Sequence, residues 1–153
     1  MNVVLVHPEI PHNSGCAGRL TAAMGARLHL VEPLGFSLED RYLKRAGLDY
    51  WPLVDLEVHA SVDTCFDALG ADGKRPLAER LRLFTARRGP SIRELRFAPD
   101  DVLVFGCESQ GLPKELLDAY PDRHVRIPIR SGVRSLNLAN AIAIGLYAAT
   151  TPD

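Results

Sequence analysis

The stretch Asp101–Tyr147, DVLVFGCESQGLPKELLDAYPDRHVRIPIRSGVRSLNLANAIAIGLY, decides how the chain folds. Two short apolar runs within it, Val102–Phe105 and Val125–Ile129, have the length and β-branched content of buried strands. Each run breaks into a polar, glycine-containing loop, and each loop feeds a helical pattern. The first loop is Gly106-Cys107-Glu108-Ser109-Gln110-Gly111, then Leu112-Pro113. The second is Arg130-Ser131-Gly132-Val133-Arg134-Ser135, ahead of a helix over Leu136–Ala149. In α/β proteins ligands bind where loops leave the carboxyl ends of strands, so two such loops side by side would form one pocket.

Outward from this stretch the same alternation repeats. Asn2–His7 predicts a buried first strand, ended by Pro8 and Pro11. Asn13 or Ser14 can cap a helix over Gly15–Met24, whose small residues allow close packing and which Gly25 would terminate. Arg27–Val31 reads as a second strand. Ser37-Leu38-Glu39-Asp40 is a capping-box pattern for a helix to about Ala46. A third strand over Leu53–Val58 and a helix over Ser61–Leu69 follow. Arg80–Thr85 alternates, with Leu81 and Leu83 on one face and Arg80 and Arg82 on a solvated one. Ser91-Ile92-Arg93-Glu94 would cap a short helix. The reading is an α/β fold: a mostly parallel sheet of about six strands with helices on both faces.

The bulk numbers fit one domain spanning 1–153, with 46% apolar and 24% charged residues. They argue against disorder. No apolar run approaches a membrane span, and MNVVLVHPE lacks the basic start of a signal peptide. Three cysteines, Cys16, Cys65 and Cys107, show no metal-ligand spacing and suit a reduced, cytoplasmic protein. His7, His12, His29, His59 and His124 are scattered along the chain and read as surface or core filler, so no metal is expected.

Three segments together are more specific. Asn13-Ser14-Gly15-Cys16-Ala17-Gly18-Arg19 precedes FGCESQGLP at Phe105–Pro113 and RIPIRSGVRSLNLAN at Arg126–Asn140. In order and spacing they resemble the three motifs of the SPOUT RNA methyltransferases. PEIPHNSG at Pro8–Gly15, LHLVEPLGF at Leu28–Phe36 and RAGLDYW at Arg45–Trp51 extend the resemblance to the TrmL-like subfamily, tRNA 2′-O-methyltransferases acting at wobble position 34. The resemblance covers nearly the whole chain. It implies a deep trefoil knot over roughly Arg80 to Ala149, S-adenosylmethionine as cofactor, tRNA (the anticodon stem-loop) as partner, and a homodimer. Many rRNA-directed relatives carry an extra N-terminal RNA-binding domain; this chain starts at its first strand, which favours the tRNA reading. The alternatives are a 2′-O-methyltransferase for another tRNA or rRNA position, and a non-catalytic RNA-binding module of the same fold.

Carried over residue by residue, the resemblance implies catalytic roles for Asn13, Arg19, Glu108 and Asn137, and donor binding by Phe84, Gly106, Ile127 and Ser135. The chemistry of each has a plainer counterpart. Arg19 is the only charged residue between Glu9 and Arg27. A guanidinium, with a pKa above about 12, is a poor general base. It either clamps a phosphate and stabilises a developing alkoxide or relays the proton with substrate help. Glu108 is a carboxylate beside the sulfonium or the arginine, or a cap for the helix beginning at Pro113. Gly106 would let a main-chain amide approach the cofactor. Ser135 is suited to cap the last helix, with Asn137 one turn inside it and in need of a partner. The backbone of Ile127 would hold adenine. Cys16, Cys107 and Ala139 depart from the subfamily's usual Asn, Pro and Ser.

Charge is segregated. Between Asp72 and Arg96 eight cations (Lys74, Arg75, Arg80, Arg82, Arg87, Arg88, Arg93 and Arg96) face three anions, in a chain of net charge −1. Such a stripe suits phosphate binding, as does the smaller cluster Arg41, Lys44 and Arg45. The last helix is apolar nearly all round, which predicts burial on more than one face. With the first helix it is the expected dimer surface, placing Arg19 of one subunit near the donor pocket of the other.

Overall fold

Six strands form one all-parallel sheet in the order β3-β2-β1-β5-β4-β6. They are β1 (Asn2–Val6), β2 (Arg27–Val31), β3 (Leu56–His59), β4 (Leu81–Thr85), β5 (Val102–Phe105) and β6 (His124–Arg126). The α-helices whose full extent is described are α1 (Pro11–Met24), α2 (Val62–Asp72), the single turn α3 (Leu77–Arg80), α4 (Lys114–Ala119) and α5 (Leu138–Thr150). The computed structural model describes every residue except 40, 42–44, 46–49 and 151–153. Half of the helix expected from Ser37 to Ala46, and Lys44 of the small basic cluster, lie outside the described residues; Arg41 and Arg45 are helical.

Parallel strands covered on both faces need apolar side chains at every position, and Val3 to Val6 and Val102 to Val104 are fully buried. Alternation along each strand divides them between two cores. Val3, Leu5, Leu28, Leu30, Leu103 and Phe105 meet Ala17 of α1 and Ile142 and Leu146 of α5. Val4, Val6, Val31, Val102 and Val104 meet Cys65, Phe66 and Leu69 of α2 and Leu116 of α4. Each buried leucine contributes about 1.5–3 kcal/mol relative to exposure.

Several boundaries differ from the sequence reading, each for a local reason. β1 ends at Val6 because His7 takes a left-handed conformation, φ 53°. α1 begins four residues early, with Pro11 in its first turn, where a missing N–H costs nothing. β3 starts at Leu56 because Trp51–Leu53 coils into a 3-10 turn. α2 is opened by a capping box between Ser61 and Thr64 and runs past Gly70 to Asp72. Gly18 in α1 receives the ring of Trp51: a Cβ there would lie 3.0 Å from Cζ3. β6 stops at Arg126, just before Ile127-Pro128, since proline has no N–H for a ladder.

The largest correction concerns Arg80. It belongs to α3 rather than to a solvated strand face, and it is 2% exposed. Its Nη1 donates to the Leu69 carbonyl at 2.8 Å and its Nε to the Asp100 carbonyl at 2.9 Å. Beside it, buried Asp101 accepts from Arg75 Nη2 and Arg82 Nε, both at 2.9 Å. Three of the eight stripe cations are thus consumed in a clasp at the amino end of the sheet.

Candidate active site

β5 lies between β1 and β4, out of chain order. The loops leaving β1, β4, β5 and β6 therefore converge at the carboxyl end of the sheet, the position where open α/β sheets bind ligands. They enclose a pocket of about 380 Å³. Its apolar wall comprises Phe84, Phe105, Ile127, Ile129, Leu136, Leu138 and Ala141; Phe84 and Phe105 stack at 4.4 Å between ring centroids. Gly145 of α5 lies over that pair, where a Cβ would be 2.9 Å from Phe84.

The polar wall is a hydrogen-bonded chain drawn from all three motifs. Glu108 Oε2 accepts from the Glu9 amide at 2.7 Å; Oε1 accepts from the Ile10 amide and from Asn13 Nδ2, each at 3.1 Å. Asn13 Oδ1 in turn accepts from Asn137 Nδ2 at 3.0 Å. Glu9 returns the contact, its carboxylate accepting from the Ser109 amide at 2.9 Å and hydroxyl at 2.6 Å. The two carboxylates thus clasp the β1 and β5 loops to each other. Glu108 binds the two amides that lead into α1, at the end where the helix dipole favours an anion. It does not cap the helix after Pro113.

The cap of the last helix differs from the expected one. The last helix starts at Leu138, so Asn137 is its N-cap, its Oδ1 accepting from the Asn140 amide at 3.2 Å. Ser135, the expected cap, is an exposed loop residue on the pocket rim. Gly106 lines the pocket, and its missing Cβ leaves room for its own loop. A Cβ there would lie 2.0 Å from the Gly111 carbonyl carbon and 2.1 Å from the Leu112 nitrogen. Gly111 supplies the left-handed turn of that loop, φ 76°.

Arg19 stands apart from the other seven residues. Six residues at about 100° each put its side chain about 240° around α1 from Asn13. Asn13 points to Glu108, whereas Arg19 is exposed and stacks over the Tyr50 ring, 4.5 Å from its centroid. With His12, Cys16, Arg45, Ala139 and Asn140 it lines a separate hollow between α1 and α5. α5 buries one stripe, Leu138, Ile142, Gly145 and Leu146, and leaves Ile144 and Tyr147 exposed. The expected second buried face is open in the single chain.

Two groupings escaped the sequence reading. Arg87, Arg126, Arg130 and Arg134 surround a cavity that shares Ala86 and Ile129 with the first pocket. Only Arg87 fell in the basic stripe; the 130–134 spacing in a Gly132 loop was the available signal. The second corrects the view of scattered histidines: His29, His59 and Cys65 come together beneath α2.

The comparisons with known proteins agree with this architecture. The model of the SpoU rRNA Methylase family matches residues 1–147. The chain is 44% identical over 149 residues to a tRNA (cytidine(34)-2′-O)-methyltransferase of Polaromonas, covering 97% of this chain and 88% of the relative. It is 45% identical to the enzyme of the same name from Burkholderia ambifaria, covering 97% and 92%. A solved structure concerned with 2-OH methylation of C/U34 on tRNA superimposes with a TM-score of 0.88 at 46% identity, covering 97% of this chain and 92% of that one. A fold with three motifs converging on one pocket, matched along almost its full length, places the chain in the SpoU rRNA Methylase family.

Proposed function

We propose that this chain transfers a methyl group from S-adenosylmethionine to the ribose 2′-hydroxyl of tRNA, at wobble nucleotide 34 of the anticodon stem-loop. The observation that carries the reading is the pocket itself. Asn13, Glu108 and Asn137 are joined by hydrogen bonds at its rim, while Phe84, Gly106, Ile127 and Ser135 line it. Relatives at 44–45% identity are named for this reaction.

The residues fit the donor. A flat base suits the apolar wall of Phe84, Phe105 and Ile127, and a pocket of about 380 Å³ is of ligand size. The Glu108 carboxylate provides negative charge at the rim. When bound, S-adenosylmethionine supplies an electrophilic methyl group. Glu108 and Asn137 hold Asn13 and the amino ends of two helices in place. Arg19 acts on the substrate side: as a fixed cation it stabilises negative charge on the ribose oxygen or clamps the adjacent phosphate.

Arg19 stands outside the pocket of its own chain, which supports a homodimer through α1 and α5, with Arg19 of one copy serving the pocket of the other. The exposed Ile144 and Tyr147 support the same pairing. Arg87, Arg126, Arg130 and Arg134 would meet the RNA backbone. The family fold supports a single knotted domain in a cytoplasmic enzyme; among the described residues no helix is long and apolar enough to cross a membrane.

The test is incubation with methyl-labelled donor and bulk tRNA, followed by mapping of 2′-O-methyl nucleotides. Label at nucleotide 34 is the expected outcome. Label confined to rRNA, or to another tRNA position, would overturn the assignment. Mixing Arg19→Ala and Ala141→Phe subunits, each inactive alone, should restore part of the activity if sites are shared.

A further inference from the structure

We propose that the protein has a zinc-type metal site, built from His29, Glu57, His59 and Cys65, on the sheet face opposite α1 and α5. It is separate from the methyl-transfer pocket: β2 and β3 lie on the other side of β1 from β5, β4 and β6.

Register brings the ligands together. His29 of β2 pairs directly with Glu57 of β3. His59 is two residues beyond Glu57, so its side chain returns to the same face. The face is the one that α2 covers, and Cys65 comes down from that helix. The ligating atoms of His29, His59 and Cys65 lie within 4.8 Å of one another, and all three residues are buried. Glu57, half-exposed, approaches from the solvent side. One oxygen is 3.8 Å from His29 Nδ1 and the other 3.9 Å from His59 Nε2.

The outer contacts suit coordination. His29 Nε2 is 3.0 Å from Asn2 Oδ1. An amide oxygen only accepts, so Nε2 carries the hydrogen and Nδ1 presents its lone pair to the cluster. Such a second hydrogen bond is the usual way a metal-binding histidine is oriented. His59 Nε2, 2.9 Å from that lone pair, donates to it in the metal-free state. A tetrahedral zinc with bonds of about 2.0–2.3 Å needs N···N near 3.3 Å and N···S near 3.6 Å. The nitrogens must separate by a few tenths of an ångström, Glu57 must close by about half an ångström, and Cys65 Sγ, within 4.8 Å of the nitrogens, must close by up to about 1 Å.

The balance of charge and protons selects the metal. Two imidazoles, a thiolate and a carboxylate around a divalent ion sum to zero, which a buried site requires. Nitrogen and sulfur donors favour zinc-type ions over magnesium or calcium. Binding breaks the His59–His29 hydrogen bond, and the His59 proton moves to Nδ1. The Cys65 thiol releases its proton to solvent as the metal–sulfur bond forms.

The experiment uses full-length protein stripped with chelator and titrated with Co(II), then Zn(II). Expected are one cobalt per chain, the intense visible bands of a tetrahedral site, and a thiolate-to-cobalt band, all bleached by zinc. Zinc should also raise the thermal midpoint of the wild type. Cys65→Ser should lose the thiolate band and the thermal shift. Glu57→Gln, at a half-exposed position, should keep the band and weaken cobalt binding by about tenfold or more. Absence of one-to-one binding would overturn the proposal. So would a thiolate band that survives Cys65→Ser, since the metal would then sit at Cys16 or Cys107. Should Cys65→Ser not fold, unchanged cobalt affinity in Glu57→Gln overturns it equally.

Discussion

The two ends of the sheet are built from similar materials to opposite effect. At the amino end Asp100 and Asp101 meet Arg75, Arg80 and Arg82. Asp101 is fully buried and accepts three hydrogen bonds, the third from the Ala98 amide at 3.1 Å. At the carboxyl end Glu9 and Glu108 spend their oxygens on backbone amides and Asn13, and the arginines around the second cavity ring open space. Charge pairs with charge at the end that only has to hold. At the end facing the pocket, carboxylates are satisfied by amides and the Ser109 hydroxyl, and Arg126 and Arg134 donate to the Gly89 and Ser109 carbonyls rather than to a carboxylate. The sign and number of charges along the chain do not distinguish these uses; position at one end of a parallel strand does.

The sharpest way to break the comparison is Asp101→Ala. It strands Arg82 Nε and the Ala98 amide, while Arg75 Nη2 keeps Asp100 as its acceptor, and breaking a buried ion pair costs about 3–5 kcal/mol. A fall of that size in denaturant unfolding is expected, with donor affinity of the folded fraction unchanged. A loss of donor affinity instead would mean that the two ends are coupled.

Next in size is Arg19→Lys. Charge is kept and the planar fork is lost, so kcat/KM for tRNA should drop about 100-fold, the scale of removing one charge-stabilising donor. Calorimetric donor affinity should stay within about twofold, because Arg19 lies outside the pocket lining. Wild-type activity in this variant would end its assignment as a catalytic residue.

Asn137→Ala removes both the cap on α5 and the bond to Asn13. About 1 kcal/mol of stability should be lost, as for other N-caps, together with a larger fractional loss of activity. Asn137→Asp, which keeps the capping oxygen but not the amide donor, separates the two: stability should recover while activity does not.

The smallest effects belong to the open cations. Arg130→Ala should leave stability within about 0.5 kcal/mol. It should weaken tRNA binding and lower the salt-dependence slope by about one. The same result from Arg75→Ala would contradict the division between the two ends, since Arg75 is engaged with Asp100 and Asp101.

Much of the fold is legible in the sequence because parallel strands must be apolar on both faces. Arg27–Val31 and Val102–Phe105 match the predicted bounds, and the βα alternation gives the parallel sheet. Boundaries fail where a tertiary partner competes with local preference. Glu108, distant in sequence, receives the amides at the start of α1, and α1 begins at Pro11 rather than Gly15. Asn137 displaces Ser135 as a cap because its amide group also reaches Asn13. Arg80 looked solvated because alternation was read one residue into a helical turn.

Composition, periodicity and three ordered motifs determined by themselves the class of fold, the loops that form the pocket and the residue types available in it. They could do so because strand burial, capping and loop chemistry are local properties, written within a few residues. Tertiary structure alone decided which partners those residues take. It seated Arg19 against Tyr50, turned Glu108 inward as a clasp, and divided the arginines between a structural lock and an open surface. It also brought His29, His59 and Cys65 from two strands and a helix into one cluster. Such contacts depend on strand order and register, which join residues tens of positions apart and leave no local trace in the chain.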